Sequence, residues 1–283
     1  MSTDFSKEDV IQNKKQAIKK LNSMLEGFIN DPSGQRLKKA NLLSYWIKDY
    51  VKMLNFEEGF NPTKNISYKR GNIVKVKFGF NIGAEYGGLH YGIVLDNNNA
   101  HNSPVVTVIP LTSIKDEKQV HFNSVALGNE IYRSLKIKYD TIFKALTEEQ
   151  EEIEKELELF QTLVDLATQT ANELKSGELD PQKFEQKLSD AQKYLDASNE
   201  LQQMWKQKRQ HNKEQLDYLN KIGLEISRMK EGSIALVNQI TTISKIRIFD
   251  PKDLKGVLSG ISLSEENMEK INEKMKSLYI FGK

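Results

Sequence analysis

Hydrophobic positions near the N-terminus recur every three or four residues. Val10, Ile11, Ala17, Ile18, Leu21, Met24, Leu25 and Phe28 follow this spacing, which lays an apolar stripe along one helix. Ser6, with Asp9 three residues on, predicts the N-terminal cap. Asp31-Pro32-Ser33-Gly34 predicts the stop. A second helix is expected through Leu42, Leu43, Trp46, Ile47, Tyr50, Val51 and Leu54, then a linker from Gly59 to Asn65. Near residue 71 the period falls to two. Val74, Val76, Phe78 and Phe80 alternate with Lys75, Lys77 and Gly79, the pattern of a half-buried strand. Gly92 to Leu95 and Val105 to Leu111 predict two further strands, and Gln119 to Phe122 and Ser124 to Leu127 two short ones. Asn81 to Tyr91, with three glycines, reads as a long loop between strands.

Strand chemistry then stops for about a hundred residues. Ile142, Leu146, Ile153, Leu157, Phe160, Val164, Ala167, Ala171 and Leu174 are spaced mostly in threes and fours, as in a heptad repeat. Ser176-Gly177 and Asp180-Pro181 break the helix and restart it, and Phe184, Leu188, Ala191, Leu195, Leu201, Met204, Leu219, Ile222, Ile226 and Met229 continue the theme. This predicts an antiparallel coiled coil whose arms of about 40–50 residues reach roughly 60–75 Å at 1.5 Å per residue. β-branched runs return at Ser233 to Val237 and Ile240 to Ile248. A last helix is capped by Ser264, carries Glu265 and Glu266 at its positive end, and turns Met268, Ile271, Met275 and Leu278 inward.

The fold class expected is α+β, a small β-domain split by a helical hairpin. Its parts are an N-terminal helical region with linker (1–65), a first β piece (66–130), the inserted hairpin (131–231) and a second β piece with the C-terminal helix (232–283). The two β pieces are expected to complete one sheet system, since neither buries its apolar face alone.

Charge sharpens this division. The whole chain carries 41 basic and 39 acidic side chains, too balanced for a polybasic nucleic-acid coat. Residues 131–231, however, hold 16 basic against 20 acidic side chains. The hairpin is therefore expected to serve assembly or partner contact rather than RNA binding. The 28 % charged and 38 % apolar composition suits long solvated helices. The absence of cysteine excludes disulfides, thiolate metal sites and cysteine nucleophiles. The N-terminus has no apolar leader segment and no apolar run reaches bilayer length, so a soluble, cytoplasmic protein with no membrane partner is expected.

Among chemical motifs, the P-loop, the H-E-x-x-H pair and the G-x-S-x-G elbow are all missing. The histidines are His90, His101, His121 and His211. The segment Gly83-Ala84-Glu85-Tyr86-Gly87-Gly88-Leu89-His90 stands out. It reads either as a mobile hairpin connection or as a lid that admits a phosphate backbone close to the main chain.

Arg70-Gly71-Asn72-Ile73-Val74, the Gly83–Gly88 loop, Ile93-Val94-Leu95 and Val106 to Thr112 together resemble the MazF/PemK toxin family. Ser233 to Arg247, with Gln239 before a basic β-branched strand, looks like the later strand pair of that family. The resemblance covers roughly 40 % of the chain and leaves the N-terminal helices and the hairpin unexplained. It implies a PemK/CcdB-type β-barrel and a metal-independent, cofactor-free endoribonuclease acting on single-stranded RNA. It also implies a homodimer, neutralised by a cognate antitoxin. The catalytic threonine of the family falls on Thr112 and its catalytic arginine on His90. Asn72 and Tyr86 are further departures, standing where the family has Asp and Gln.

Thr112 would donate to a non-bridging phosphate oxygen. Histidine, unlike arginine, has a pKa suited to proton transfer. Tyr86 would stack a base. Glu85 would order the loop or move a proton. Gln239 reads a base edge or holds the strand pair, and Lys115 would contact phosphate. The alternative expectation is an inactive toxin-like binding or assembly module that uses the coiled coil for partner contact. Topoisomerase poisoning, suggested by the CcdB relationship, ranks below both because the threonine is kept.

Overall fold

The computed structural model describes residues 5–114, 120–177 and 180–280. Two helices open the chain, α1 (Lys7–Ile29) and α2 (Leu37–Glu57). The cap of α1 is as its sequence predicts. The Ser6 hydroxyl accepts from the Asp9 amide and the Asp9 carboxylate returns a bond to the Ser6 amide, which satisfies donors that a helix start leaves open.

Four strands follow: β1 (Ile73–Gly79), β2 (Gly88–Val94), β3 (Val105–Ser113) and β4 (Ser124–Gly128). Then come α3 (Glu130–Lys175) and α4 (Pro181–Arg228). The strands resume as β5 (Ser233–Leu236), β6 (Thr241–Ser244) and β7 (Ile248–Asp250), and α5 (Glu265–Met275) follows, with a wider helical turn over Lys276–Ile280 at the end of the described chain. All strand pairs are antiparallel, and the strand order is β4-β5-β3-β2-β1-β7 with β6 also on β3. Strands from both sides of the helical pair thus interleave, with β5 lying between β3 and β4.

Three local expectations change. The predicted loop 81–91 is shorter, because β2 begins at Gly88 and takes His90 and Tyr91 into the sheet. Leu89, His90 and Tyr91 pair with Lys77, Val76 and Lys75, so cross-strand pairing outweighs the local glycine signal. The run 240–248 is two short strands rather than one. A tight turn at Lys245–Arg247 separates them, and its Ser244 hydroxyl accepts from the Ile246 amide. Residues 120–122 form no strand, and Gln119 lies outside the described residues.

Side-chain alternation gives the sheet two buried faces. Ile73, Ile93, Ile109 and Leu111 pack with Ile131 and Leu135 of α3, Ile222 of α4 and Ile271 of α5. Val74, Val76, Phe78, Val94, Val106 and Val108 pack with Tyr68, Ile243 and Ile248. The bases of α3 and α4 are therefore built into the first core. Polar ties reinforce them: Lys138 donates to the carbonyls of Val257 (2.9 Å) and Ser259 (2.7 Å), and the Tyr218 hydroxyl donates to Gly256 (3.0 Å).

Beyond the bases, α3 and α4 run as an antiparallel pair. Glu173 meets Lys187, Glu156 meets Lys208 at 2.5 Å, and Tyr139 lies against Gly223. These pairs sum to nearly the same number, as antiparallel packing requires. Of the apolar stripe, Leu146, Ala167, Ala191, Leu219 and Ile222 are buried, whereas Leu157, Phe184, Leu188, Leu195 and Met204 remain exposed. A pair of helices covers one narrow seam, and this stripe is wider than the seam.

At the other end of the sheet, α2 packs on β1. Trp46 sits where a Cβ on Gly79 would come within 2.7 Å of its ring, and Lys77 pairs with Asp49 at 2.6 Å. The Arg70-Gly71-Asn72 segment is structural. Asn72 accepts from the Lys69 amide (2.7 Å) and donates to Ser262 (2.8 Å), while Arg70 reaches the Leu95 carbonyl and Asn272 of α5.

Lys245 is fully buried. Its amine donates to the carbonyls of Ala100 (3.1 Å) and His101 (3.4 Å) and lies 5.7 Å from the centre of the Tyr68 ring. Lys245→Met keeps the stem but strands both carbonyls, so a loss of about 1–3 kcal/mol is expected in urea denaturation. A more stable variant would show that desolvating the amine costs more than its hydrogen bonds return.

Candidate functional site

The β2–β3 ladder pairs Val94 with Val108, Ile93 with Ile109 and Gly92 with Pro110, and ends there. Continued two places, this register sets His90 opposite Thr112. The strands part at that point because β3 runs on along its other edge, pairing Leu111, Thr112 and Ser113 with Ala235, Ile234 and Ser233 of β5. The gap is a cavity of about 220 Å³, lined by His90, Tyr91, Leu111, Thr112 and Ser113 from the sheet. Arg228, Met229, Lys230, Gly232 and Ser233 from the end of α4 and the start of β5 complete it. The structure thus brings together two residues that lie 22 positions apart in sequence.

Tyr86 backs this pair. Its ring centre lies 4.7 Å from that of His90 and 5.7 Å, edge to face, from that of Phe78. Its hydroxyl donates to the Leu111 carbonyl at 2.5 Å. Burial pushes the phenol up to about 12, with the neighbouring Thr112 side chain working the other way. Tyr86 is therefore a protonated phenol packed behind the cavity, its ring against His90 and Phe78 rather than open to a stacking base. Burial also lowers the pKa of His90 below its ordinary value, so its imidazole is neutral at pH 7.

The loop before β2 is held by its own side chains. Asn81 donates to the Tyr86 carbonyl (2.8 Å), and Glu85 accepts from the Ile82 amide (3.3 Å). Gln239 accepts from the Tyr86 amide (3.3 Å) and donates to the Ala84 carbonyl (3.4 Å). Both ends of the Gln239 amide are thus committed to clamping the loop. Glu85 lines a different, larger groove of about 510 Å³ between the loop and α2, which also touches His90. Gly87 is required by close backbone packing, since a Cβ there would lie 2.7 Å from the Gly79 carbonyl oxygen. Lys115 lies outside the described residues.

Sequence reasoning missed the contribution of α4. The one available signal is the run Ser227-Arg228-Met229-Lys230, which puts two cations where the acidic hairpin block returns to the sheet.

Among the described residues, no three His, Asp or Glu side chains gather as a metal-binding group, and no helix is long and apolar enough to cross a membrane. A search of curated proteins finds no match. A family comparison does: the matched span starts just before β1, takes in β1 to β4, Thr112 and His90, and runs through α3, leaving β5 to β7 outside it. Over residues 69–176 the chain matches the family described as the PemK-like, MazF-like toxin of type II toxin-antitoxin systems.

Proposed function

We propose that this protein is a toxin-type endoribonuclease that cleaves single-stranded RNA without metal and is held in check by a cognate antitoxin. The observation that carries the reading is Thr112 and His90 sharing one cavity inside the span that matches the toxin family. The interleaved sheet is then a PemK/CcdB-type barrel whose chain is interrupted by the α3–α4 hairpin. In line with the family resemblance, we take the working form to be a cytoplasmic homodimer.

The chemistry follows from the side chains. The ribose 2′-oxygen attacks phosphorus, the bond from phosphorus to the 5′-oxygen breaks, and a cyclic phosphate and a 5′-hydroxyl result. Neutral His90 accepts the 2′-hydroxyl proton, and water protonates the departing 5′-oxygen. Thr112 donates to a non-bridging oxygen as its charge grows. Tyr86 packs on His90 and Gln239 holds the loop, which keeps the imidazole in place.

Purified protein incubated with a long single-stranded RNA in EDTA should yield defined fragments with cyclic-phosphate ends. Intact RNA across many sequences and pH values would favour the second reading, an inactive toxin-like binding module, which histidine in place of the family arginine supports.

The pH dependence has a definite sign. Burial lowers the pKa of His90, so the neutral base is lost only as pH falls through a value below the ordinary 6.5 or so. The plot of kcat/KM against pH should therefore rise along a limb below about 6.5 and be flat at neutral pH. A rate that instead increases on acidification would assign His90 the role of an acid.

A further inference from the structure

Resting on the ribonuclease reading, we infer that Arg228, at the end of α4, is the phosphate-binding cation of the Thr112–His90 cavity, taking over the charge that His90 does not supply. The hairpin is then part of the RNA site at its base, although its arms are acidic.

Three observations lead there. First, Arg228 and Lys230 line the same cavity as His90, Thr112, Ser113 and Ser233. Second, the end of α4 is fixed on the sheet. One turn before Arg228, Glu225 accepts from Lys75 at 2.5 Å and from the Tyr91 hydroxyl. Ile222 is fully buried in the core, and the Gly232 carbonyl accepts from Ile114 at 3.1 Å. The backbone that carries this cation is therefore held in place before an anion arrives, which leaves only the side chain to be ordered. Third, the charges are available. Among the described residues no carboxylate pairs with Arg228 or Lys230, whereas the nearby Glu225 is taken by Lys75 and Tyr91.

The chemistry needs such a group. A phosphodiester brings one negative charge, and the phosphorane brings more. His90 is neutral at pH 7 and Thr112 offers only a neutral donor. Guanidinium matches two phosphate oxygens with parallel donors and stays charged at any working pH. Arg228 lies at the base of the hairpin, where α4 ends, and outside the span matched to the toxin family, so the insertion itself would bring in the missing cation. The bland alternative is that Arg228 merely complements the negative C-terminal end of α4.

The test uses the full chain with a single-stranded oligonucleotide made uncleavable by 2′-deoxy substitution, so that binding is read independently of cleavage. Arg228→Gln should weaken binding at least tenfold and reduce the slope of log affinity against log salt by about 0.7, one single-strand phosphate contact. Arg228→Lys should restore the salt slope but only part of the affinity. Arg209→Gln removes the same charge from the hairpin arm, where Arg209 lies over Trp205, and should change neither. With cleavable RNA, Arg228→Gln should lower kcat as well.

Unchanged binding and cleavage in Arg228→Gln, or an equal effect of Arg209→Gln, overturns the inference. Wild-type protein that binds through Arg228 but never cleaves leaves the phosphate site standing and removes the nuclease reading. Wild-type protein that binds no oligonucleotide removes both. Melting temperatures guard against unfolding, since Arg228 is exposed and its loss should leave them within a few degrees.

Discussion

Thr112→Ala is expected to slow RNA cleavage on the order of a hundredfold while RNA binding stays nearly unchanged. The hydroxyl makes its most valuable bond when charge accumulates on phosphorus, so its loss should fall on kcat rather than KM. The substitution is sterically mild. Thr112 is half-buried at the end of β3, and its backbone pairing with Ile234 does not depend on the side chain. His90→Ala should cost a comparable factor, the scale of general acid–base catalysis. It should also erase the acid limb of the pH profile.

His90→Arg separates the two roles open to this position. If the position supplies proton transfer, arginine leaves the enzyme slow, since its pKa lies above about 12. If it supplies positive charge, arginine preserves the rate and flattens the pH profile. The neutral, half-buried imidazole and the presence of Arg228 in the same cavity favour the first outcome. Folded alanine variants of both residues that cleave like wild type would remove Thr112 and His90 from the site.

The parts of this site differ in how far the sequence reveals them. Thr112 is legible because a β-branched run leads straight to it and the first stretch of the resemblance to the toxin family ends on it. His90 is legible as a position but not as a strand residue. Its neighbours Gly87, Gly88 and Gly92 weigh against a strand locally, and only pairing with β1 overrides them. Gly87 and Gly92 prove to serve close backbone contact, with the Gly79 and Ile109 carbonyls, and Gly88 a left-handed backbone turn. The helices are the clearest elements, because caps such as Ser6, Asp180 and Ser264 are local chemistry. What no local pattern contains is the meeting of Arg228 with His90 and Thr112. It depends on where a helix nearly fifty residues long comes back to the sheet. The same reason hides the burial of Ile131, Leu135 and Ile222, which by spacing alone belong to the hairpin and in space belong to the core.

That burial governs what can be cut away. Replacing residues 136–226 with a flexible linker should unfold the β-domain. It removes Ile222, Tyr139, Ile142 and Tyr218 from the first core, together with the bonds of Lys138 and Tyr218 to the segment before α5. Deleting one buried isoleucine to alanine costs about 2–5 kcal/mol. Several such losses together exceed the roughly 5–15 kcal/mol that holds a domain folded. Replacing only residues 151–211 with a short loop should behave differently. It keeps every hairpin side chain that touches the core and joins α3 and α4 at positions that face each other in the antiparallel pair. What is lost is a segment whose apolar residues are largely half-exposed and whose ion pairs, such as Lys208 with Glu156, are weakly stabilising. Circular dichroism should show the shorter excision melting cooperatively and the longer one without a transition. Should both melt alike, the hairpin bases contribute nothing to the core. Should the shorter one fail to fold, the distal arms are needed for the stability of the sheet. A folded short-arm variant that still cleaves RNA would place Arg228 and the base of the hairpin on the catalytic side of the molecule. The outer arms would then be left to contacts with other proteins.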